Sequence, residues 1–361
     1  MYSLAEMASS GVPPLLKNVS TLDQWKRKRE SILNVWLESI GGIPPLVEVE
    51  VDIVSWVIFD DHLLIKVRYS SVHADRVPAN ILVPVEGEPS RKLLAEEDIK
   101  HLLFHGGNTG GNAYPAVLAL HPTSEVGKDD ISLASGRDNR IYALELVRRG
   151  YIVLAPDTIA AGERILPNEK PFHTAPFYNQ HPEWSAVAKM ISDHRQGISL
   201  LETINLVNSE KIGAIGHSLG GYNAYFLAGI DSRIKAAVCS CGFSTFAGDP
   251  ETHRWGKRDW FSHIPRISEY INNGKVPYEF NEIAALAAPI PLFFWMGQSD
   301  KIFPHWQPAA QGLADLAALY SWLGEEGKFV SLIGNSGHDF PPEIRELAYS
   351  FLDHWLYANE D

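Results

Sequence analysis

From about residue 99 onward, short apolar runs alternate with helical stretches, the sequence sign of a parallel sheet covered on both faces. The runs read as strands are IKHLLFHG, YIVLAPD, KIGAIGHS, IKAAVCSCG, PLFFWMGQSD and KFVSLIGNSGHD. Helices fit between them at 138–149, 184–207, 219–229 and 306–323, with a last one at 342–357. Two stretches, 108–137 and 243–288, interrupt the rhythm and are predicted to be long irregular loops of the lid or binding type. Ahead of this region, VEVEVDIVSWVIF, LLIKVRYSS and VPANILVPV read as an antiparallel meander forming one edge of the sheet. Earlier still, Trp25, Ile32, Leu33, Trp36, Leu37 and Ile40 recur at helical spacing until Gly41-Gly42 and Pro44-Pro45 stop the pattern. The expected organisation is therefore an N-terminal helical extension, 1–45, packed on a core domain, 46–361.

With 361 residues, 45% of them hydrophobic, the chain can bury a large core. Its 44 acidic residues outnumber 31 basic ones for a formal charge of -13, and the basic residues are scattered, which argues against a nucleic-acid partner. No apolar run approaches the ~18 residues of a membrane helix, and the start lacks a secretory pattern, so a cytoplasmic protein with no membrane partner is expected. The chain is compatible with a homo-oligomer. Cys239 and Cys241, two apart on one strand, point to the same face and are expected to be core residues rather than a disulfide. The scattered histidines, among them His101, His121, His173, His181 and His194, show no metal-ligand spacing, so no metal and no cofactor are predicted.

Chemistry concentrates at Gly216-His217-Ser218-Leu219-Gly220-Gly221, which follows the apolar run KIGAI and opens the helical stretch YNAYFLAG. A tight strand-to-helix turn crowds its backbone, which explains the flanking glycines, and it lifts the serine to the C-terminal edge of the sheet as a nucleophile. The helix start aims free N–H groups at the same place, so Leu219 N–H is a predicted oxyanion donor. Such a serine needs an acid and then a base later in the chain. Asp300 closes the run PLFFWMGQSD, and His338 lies in a glycine-bearing loop after the final strand, so the predicted triad is Ser218, Asp300 and His338. Asp157 precedes the serine and is the rival acid; Asp339 adjoins His338 and is poorly placed to orient it. The second oxyanion donor is expected in His105-Gly106-Gly107-Asn108, from the N–H of Gly107 or Asn108. Pocket candidates are His217, Glu163, Trp255 and Trp260; the last two belong to the aromatic-rich insert 243–288 between the strands of Cys239 and Asp300. For Glu163 and Arg164 an ion pair bracing their loop is the competing reading, and Asp193 and Arg195 read as structural.

These features together resemble the dienelactone-hydrolase-like and acetyl-xylan-esterase-like branch of the α/β-hydrolases. The matching segments are the Trp-bearing N-terminal helix, HGG at 105–107, RRGYIVLAPD at 148–157, Gly162-Glu163-Arg164, Asp193 and Arg195, GHSLGG, DSRIKAA at 231–237, APIPLFFWMGQSD and GHDFP. The resemblance implies an α/β-hydrolase fold, with a mostly parallel central sheet between helices and an insert over the active site. It also implies a cofactor-free serine esterase acting on a small-molecule ester through Ser218, Asp300 and His338. A dienelactone hydrolase itself typically carries a cysteine nucleophile, whereas position 218 is serine, which favours plain ester hydrolysis of short acyl groups, as on an acetylated sugar or natural product. The competing expectations are a lactone hydrolase, a prolyl-oligopeptidase-like serine peptidase, and a non-catalytic binder on the same scaffold.

Overall fold

The structure, a computed structural model, describes residues 1–85, 95–105 and 113–357. Nine strands form its main sheet: β1 (Val51–Ile58), β2 (His62–Ser71), β3 (Asp75–Pro84), β4 (Tyr114–Leu120), β5 (Ile152–Pro156), β6 (Val207–His217), β7 (Ile234–Ser240), β8 (Leu292–Gly297) and β9 (Phe329–Gly334). Their spatial order is β9-β8-β7-β6-β4-β5-β3-β2-β1. The meander β1–β3 is antiparallel and joins β5 antiparallel, while β4 to β9 pair in parallel. This is the α/β-hydrolase arrangement, with the meander at one edge as its alternating residues predict.

Five helices cover the two faces, and a further one, α1 (Leu22–Ile40), precedes the sheet. They are α2 (Tyr142–Arg148), α3 (Ala186–Thr203), α4 (Leu219–Ile230), α5 (Trp306–Trp322) and α6 (Pro342–Leu356). Strand pleating divides the sheet residues between two cores. Along β4, Ala116, Leu118 and Leu120 enter the core shared with α3, α4 and α5, while Val117 and Ala119 enter the core shared with α2 and α6. Among the described residues no helix is long and apolar enough to cross a membrane.

Three sequence expectations are corrected. IKHLLFHG is not a strand: Glu96–Lys100 is helical and His101–His105 continues as a wider helical turn. Asp98 caps this helix by accepting from Ala95 N–H at 2.7 Å, and Ile99 and Leu103, four apart, are both fully buried. The first parallel strand is instead β4, which lies within the stretch 108–137 expected to be irregular. Its Pro115 coincides with a register irregularity between Tyr114 and Ala116, where a missing N–H is tolerated. The insert 243–288 is likewise more ordered than a loop, with helices Ile267–Asn272 and Phe280–Ala285 and a short strand, Lys275–Val276, paired with Tyr2–Ser3. The N-terminal extension packs on this insert and on α4: the Trp36 ring lies 5.2 Å from that of Tyr278 and 5.0 Å from that of Phe226.

Candidate active site

β6 ends at His217 and α4 begins at Leu219, so the whole turn falls on Ser218, which adopts φ 55 and ψ −116. That backbone is strained for a residue with a Cβ and holds only because its surroundings leave no alternative. A Cβ on Gly216 would lie 2.2 Å from the Gly220 carbonyl carbon, and one on Gly220 would lie 1.8 Å from the Leu120 carbonyl oxygen. Both positions are therefore restricted to glycine by backbone contact. Ser218 N–H donates to the Ser240 carbonyl at 2.7 Å, tying the turn to the end of the next strand. Leu219 N–H is one of the first-turn donors that the helix itself does not satisfy.

Past the end of β8, Asp300 is buried and its carboxylate is shared: Oδ1 accepts from Ile302 N–H at 2.7 Å and Phe303 N–H at 3.1 Å, and Oδ2 faces His338 Nδ1 at 2.7 Å. Burial pushes this carboxyl up, but the His338 bond and charge and the two N–H donors outweigh burial and hold it below its ordinary value. With Asp300 ionised, His338 Nδ1 carries the hydrogen and Nε2 is left as the acceptor. Asp157, by contrast, is fully buried away from this pair; it accepts from Lys128 N–H and Nζ at 2.8 and 2.9 Å and from Glu163 N–H at 3.0 Å.

Ser218, Leu219 and His338 open on one cavity of about 620 Å³. Its apolar wall comes from Tyr222, Trp255, Trp260, Phe261 and Phe303, and its charged wall from Arg137, Arg140, Arg254, Arg258 and Lys301 with Glu251. Most of these cations are paired: Arg137 with Asp130, Arg140 with Asp339, and Arg254 with Asp249 and Glu251. The Arg258 guanidinium lies 4.9 Å over the Trp260 ring. Two neutral histidines complete the wall. His217, held well below its ordinary value by burial, bonds Ser240 Oγ through Nδ1 at 2.9 Å, and its ring lies 4.9 Å from that of His338, tilted 56° to it. His263, pushed down to about 3 by burial and then by the Arg258 and Arg254 charges, meets Tyr222 Oη at 2.8 Å through Nε2.

Of the pocket residues named from sequence, His217, Trp255 and Trp260 line the cavity and Glu163 does not. Glu163 instead bonds Lys128 Nζ at 2.7 Å and Arg68 at 3.1 Å, bracing its loop. Asp193 and Arg195 do not pair with each other: Asp193 holds Arg164 and Lys189, and Arg195 reaches Asp231. The expected donors Gly107 and Asn108 lie outside the described residues, and the loop that follows β4 is His121-Pro122-Thr123. Pro122 and Thr123 both line the cavity, and Pro122 has no N–H to give. His121, unremarkable in sequence, fixes this loop: its ring bonds the Pro122 carbonyl at 2.7 Å and accepts from Thr158 N–H at 3.0 Å. Cys241 Sγ, Asp300 and His338 offer ligand atoms within 4.8 Å of one another. Burial pushes the Cys241 thiol up to about 12, so it presents no thiolate at neutral pH, and it donates to the Asp339 carbonyl at 3.3 Å. Cys239 and Cys241 are both free and buried.

The fold and the comparisons with known proteins define a carboxylic ester hydrolase of the α/β-hydrolase class. The chain belongs to the dienelactone hydrolase family, whose model matches residues 134–315. A Bacillus subtilis (strain 168) protein named as a hydrolase, YtaP, is 26% identical over 250 residues, covering 67% of this chain and 79% of that one. Among solved structures, a glucuronoyl esterase from Solibacter usitatus superposes with TM-score 0.68 at 16% identity, covering 96% of this chain and 97% of the other. A promiscuous CE15 esterase from a marine bacterial metagenome gives TM-score 0.65 at 16% identity, with 98% and 99% covered. At those identities the likeness is one of fold.

Proposed function

We propose that the chain hydrolyses short-acyl carboxylic esters by way of an acyl-enzyme on Ser218. The observation that carries this reading is the 2.7 Å contact between His338 Nδ1 and Asp300 Oδ2 beside the same cavity into which the Ser218 turn opens. In the proposed cycle His338 Nε2 takes the Ser218 hydroxyl proton as Oγ attacks the ester carbonyl, and then gives it to the departing alcohol. Water, deprotonated by the same nitrogen, releases the acid. Asp300 keeps the imidazole in the required tautomer and offsets its transient charge. Leu219 N–H and Thr123 N–H are the proposed oxyanion donors.

Mixed aromatic and charged walls favour a compact acyl group on a polar alcohol over a long alkyl chain. The sequence's resemblance to acetyl-xylan-esterase-like proteins makes an acetylated sugar the ester to try first. The test is fluorophosphonate labelling followed by a p-nitrophenyl ester series. Label is expected on Ser218 and none on Ser218→Ala, whose kcat should fall by about three to six orders of magnitude. Values of kcat/KM should peak at acetate to butyrate and fall roughly tenfold by octanoate, about 1.4 kcal/mol in transition-state binding. Folded Ser218→Ala retaining a tenth of the activity would remove the serine from the mechanism, and a rate still rising at octanoate would replace the short-acyl reading with an acyl channel.

A further inference from the structure

We propose that Arg140, acting with Asp339, is a positioning residue for His338, an inference that rests on the esterase reading above. Asp300 fixes only one nitrogen of the imidazole. Where Nε2 points relative to Ser218 depends on the backbone that carries the ring, and that backbone follows Gly337 in a half-buried loop. On its N-terminal side the loop is tied to the end of β8, since Ser299 N–H donates to the Ser336 carbonyl at 2.9 Å and Gln298 N–H to the Gly334 carbonyl at 2.8 Å. On its C-terminal side the tie comes from a side chain nearly 200 residues away in sequence. One arm of the Arg140 guanidinium donates to the His338 carbonyl at 3.1 Å and the other to Asp339 Oδ1 at 2.8 Å. Asn139 Nδ2 donates to the same Asp339 oxygen.

Three features make this fork more than a surface pair. Arg140 is only 5% exposed, so its charge is held where water screens it little. Its Nε has no partner among the described residues, and its remaining bond is to the adjacent Asn139 carbonyl at 2.9 Å, so its bonding is spent on this loop. The guanidinium is planar and holds two acceptors at a fixed spacing, which a flexible ammonium does not. Burial pushes the Asp339 carboxyl up, but Arg140, the Phe340 N–H and Asn139 outweigh it and keep it below the usual range, so the pair is ionised at neutral pH. The Asp339 carbonyl is used as well, accepting from Trp295 Nε1 at 2.9 Å. Arg140 also faces the catalytic cavity, beside His217 and His338, so its loss is felt at the reacting atoms.

A misplacement of about 1 Å can cost on the order of a hundredfold in rate, which sets the expected scale. The experiment measures kcat and KM for p-nitrophenyl acetate per fluorophosphonate-titrated site in the full chain and in Arg140→Met, Arg140→Lys and Asp339→Asn. Arg140→Met should lose at least tenfold in kcat per titrated site while KM moves by less than about threefold. Arg140→Lys should recover part of the loss, because an ammonium reaches one acceptor but not both in the fork geometry. Asp339→Asn keeps the shape and one acceptor and should lose roughly three- to tenfold. A merely structural pair would instead lower the number of titratable sites and leave kcat per site within twofold, and that result overturns the proposal. Should Arg140→Met fail to fold, Arg140→Lys and Asp339→Asn decide by the same criterion. If the parent chain is not labelled at Ser218, the esterase reading falls; if it is labelled and the variants are normal per site, only the positioning role falls.

Discussion

At the scale of single residues, the acid of the site is the point on which sequence and geometry bear most directly. Asp157 and Asp300 both end apolar runs, and chain order alone separates them. The structure adds a chemical difference, because Asp300 meets His338 while Asp157 is saturated by Lys128 and the Glu163 N–H. Asp300→Asn should therefore lower kcat by about three to four orders of magnitude with little change in unfolding midpoint, since the amide favours the wrong imidazole tautomer. Asp157→Asn should do the reverse: removing one charge of a buried pair costs about 3 kcal/mol or more of stability and leaves kcat per titrated site near the parent value. Steady-state kinetics and urea unfolding on both variants check this, and the opposite ranking would move the acid to Asp157. The candidates Ser218, Asp300 and His338 were legible because each sits at a strand end with a local signature. Arg140 and His121 were not, since they are held by contacts with segments remote in sequence, Arg140 with Asp339 and His121 with Thr158, and no local pattern encodes such pairs.

Elements were legible where composition and periodicity agreed, as for β5 to β9 and for α3 to α6. They failed where propensity and context disagreed. IKHLLFHG has the apolar density of a strand, but the acidic Glu96-Glu97-Asp98 just before it and the Ile99–Leu103 spacing suit a helical turn, whereas YPAVLAL, with a proline second and two alanines, is weak by propensity and becomes β4 through pairing on both sides. The consequence reaches the site, because β4 and the turn at Ser218 are in backbone contact through Gly220. An added methyl there would sit 1.8 Å from the Leu120 carbonyl oxygen and 2.5 Å from its carbon, neither of which can swing away as a side chain would. Gly220→Ala should thus push α4 off β4, cost about 3 kcal/mol by the scale of severe overpacking, and displace the His121-Pro122-Thr123 loop. A lowered urea midpoint together with at least a tenfold loss of p-nitrophenyl acetate hydrolysis is expected, about 1.4 kcal/mol in transition-state terms. An unchanged midpoint would show that the turn has room to spare.

For the whole molecule, composition announces a large core but not what that core does to its ionisable groups. His194 and His263 are buried and pushed down to about 3, in each case chiefly by burial, and His217 is driven well below its ordinary value by the same cause. The unfolded chain protonates each of them near 6.5, the folded chain far lower, so between those values the unfolded state binds more protons. Their contribution to stability is complete above pH 6.5 and is lost progressively as pH falls toward 3. Glu279 acts the other way: burial raises it to about 7, so the folded chain takes its proton first and gains stability as pH falls from 7 toward 4.5. Within this set the three histidines outweigh Glu279 on acidification, and each proton excluded from the folded state is worth about 1.4 kcal/mol per pH unit. His194 is the cleanest lever, because neither ring nitrogen has a hydrogen-bond partner among the described residues and the side chain lies off the catalytic cavity. His194→Leu should be as stable as the parent or more so at pH 7.5, and below pH 6 its stability should fall less steeply by about 1.4 kcal/mol per pH unit. Urea unfolding of parent and variant at pH 7.5, 6 and 5 measures both slopes. Parallel profiles would mean that His194 accepts its proton as readily in the folded chain as in the unfolded one, and the acid sensitivity would then have to come from elsewhere.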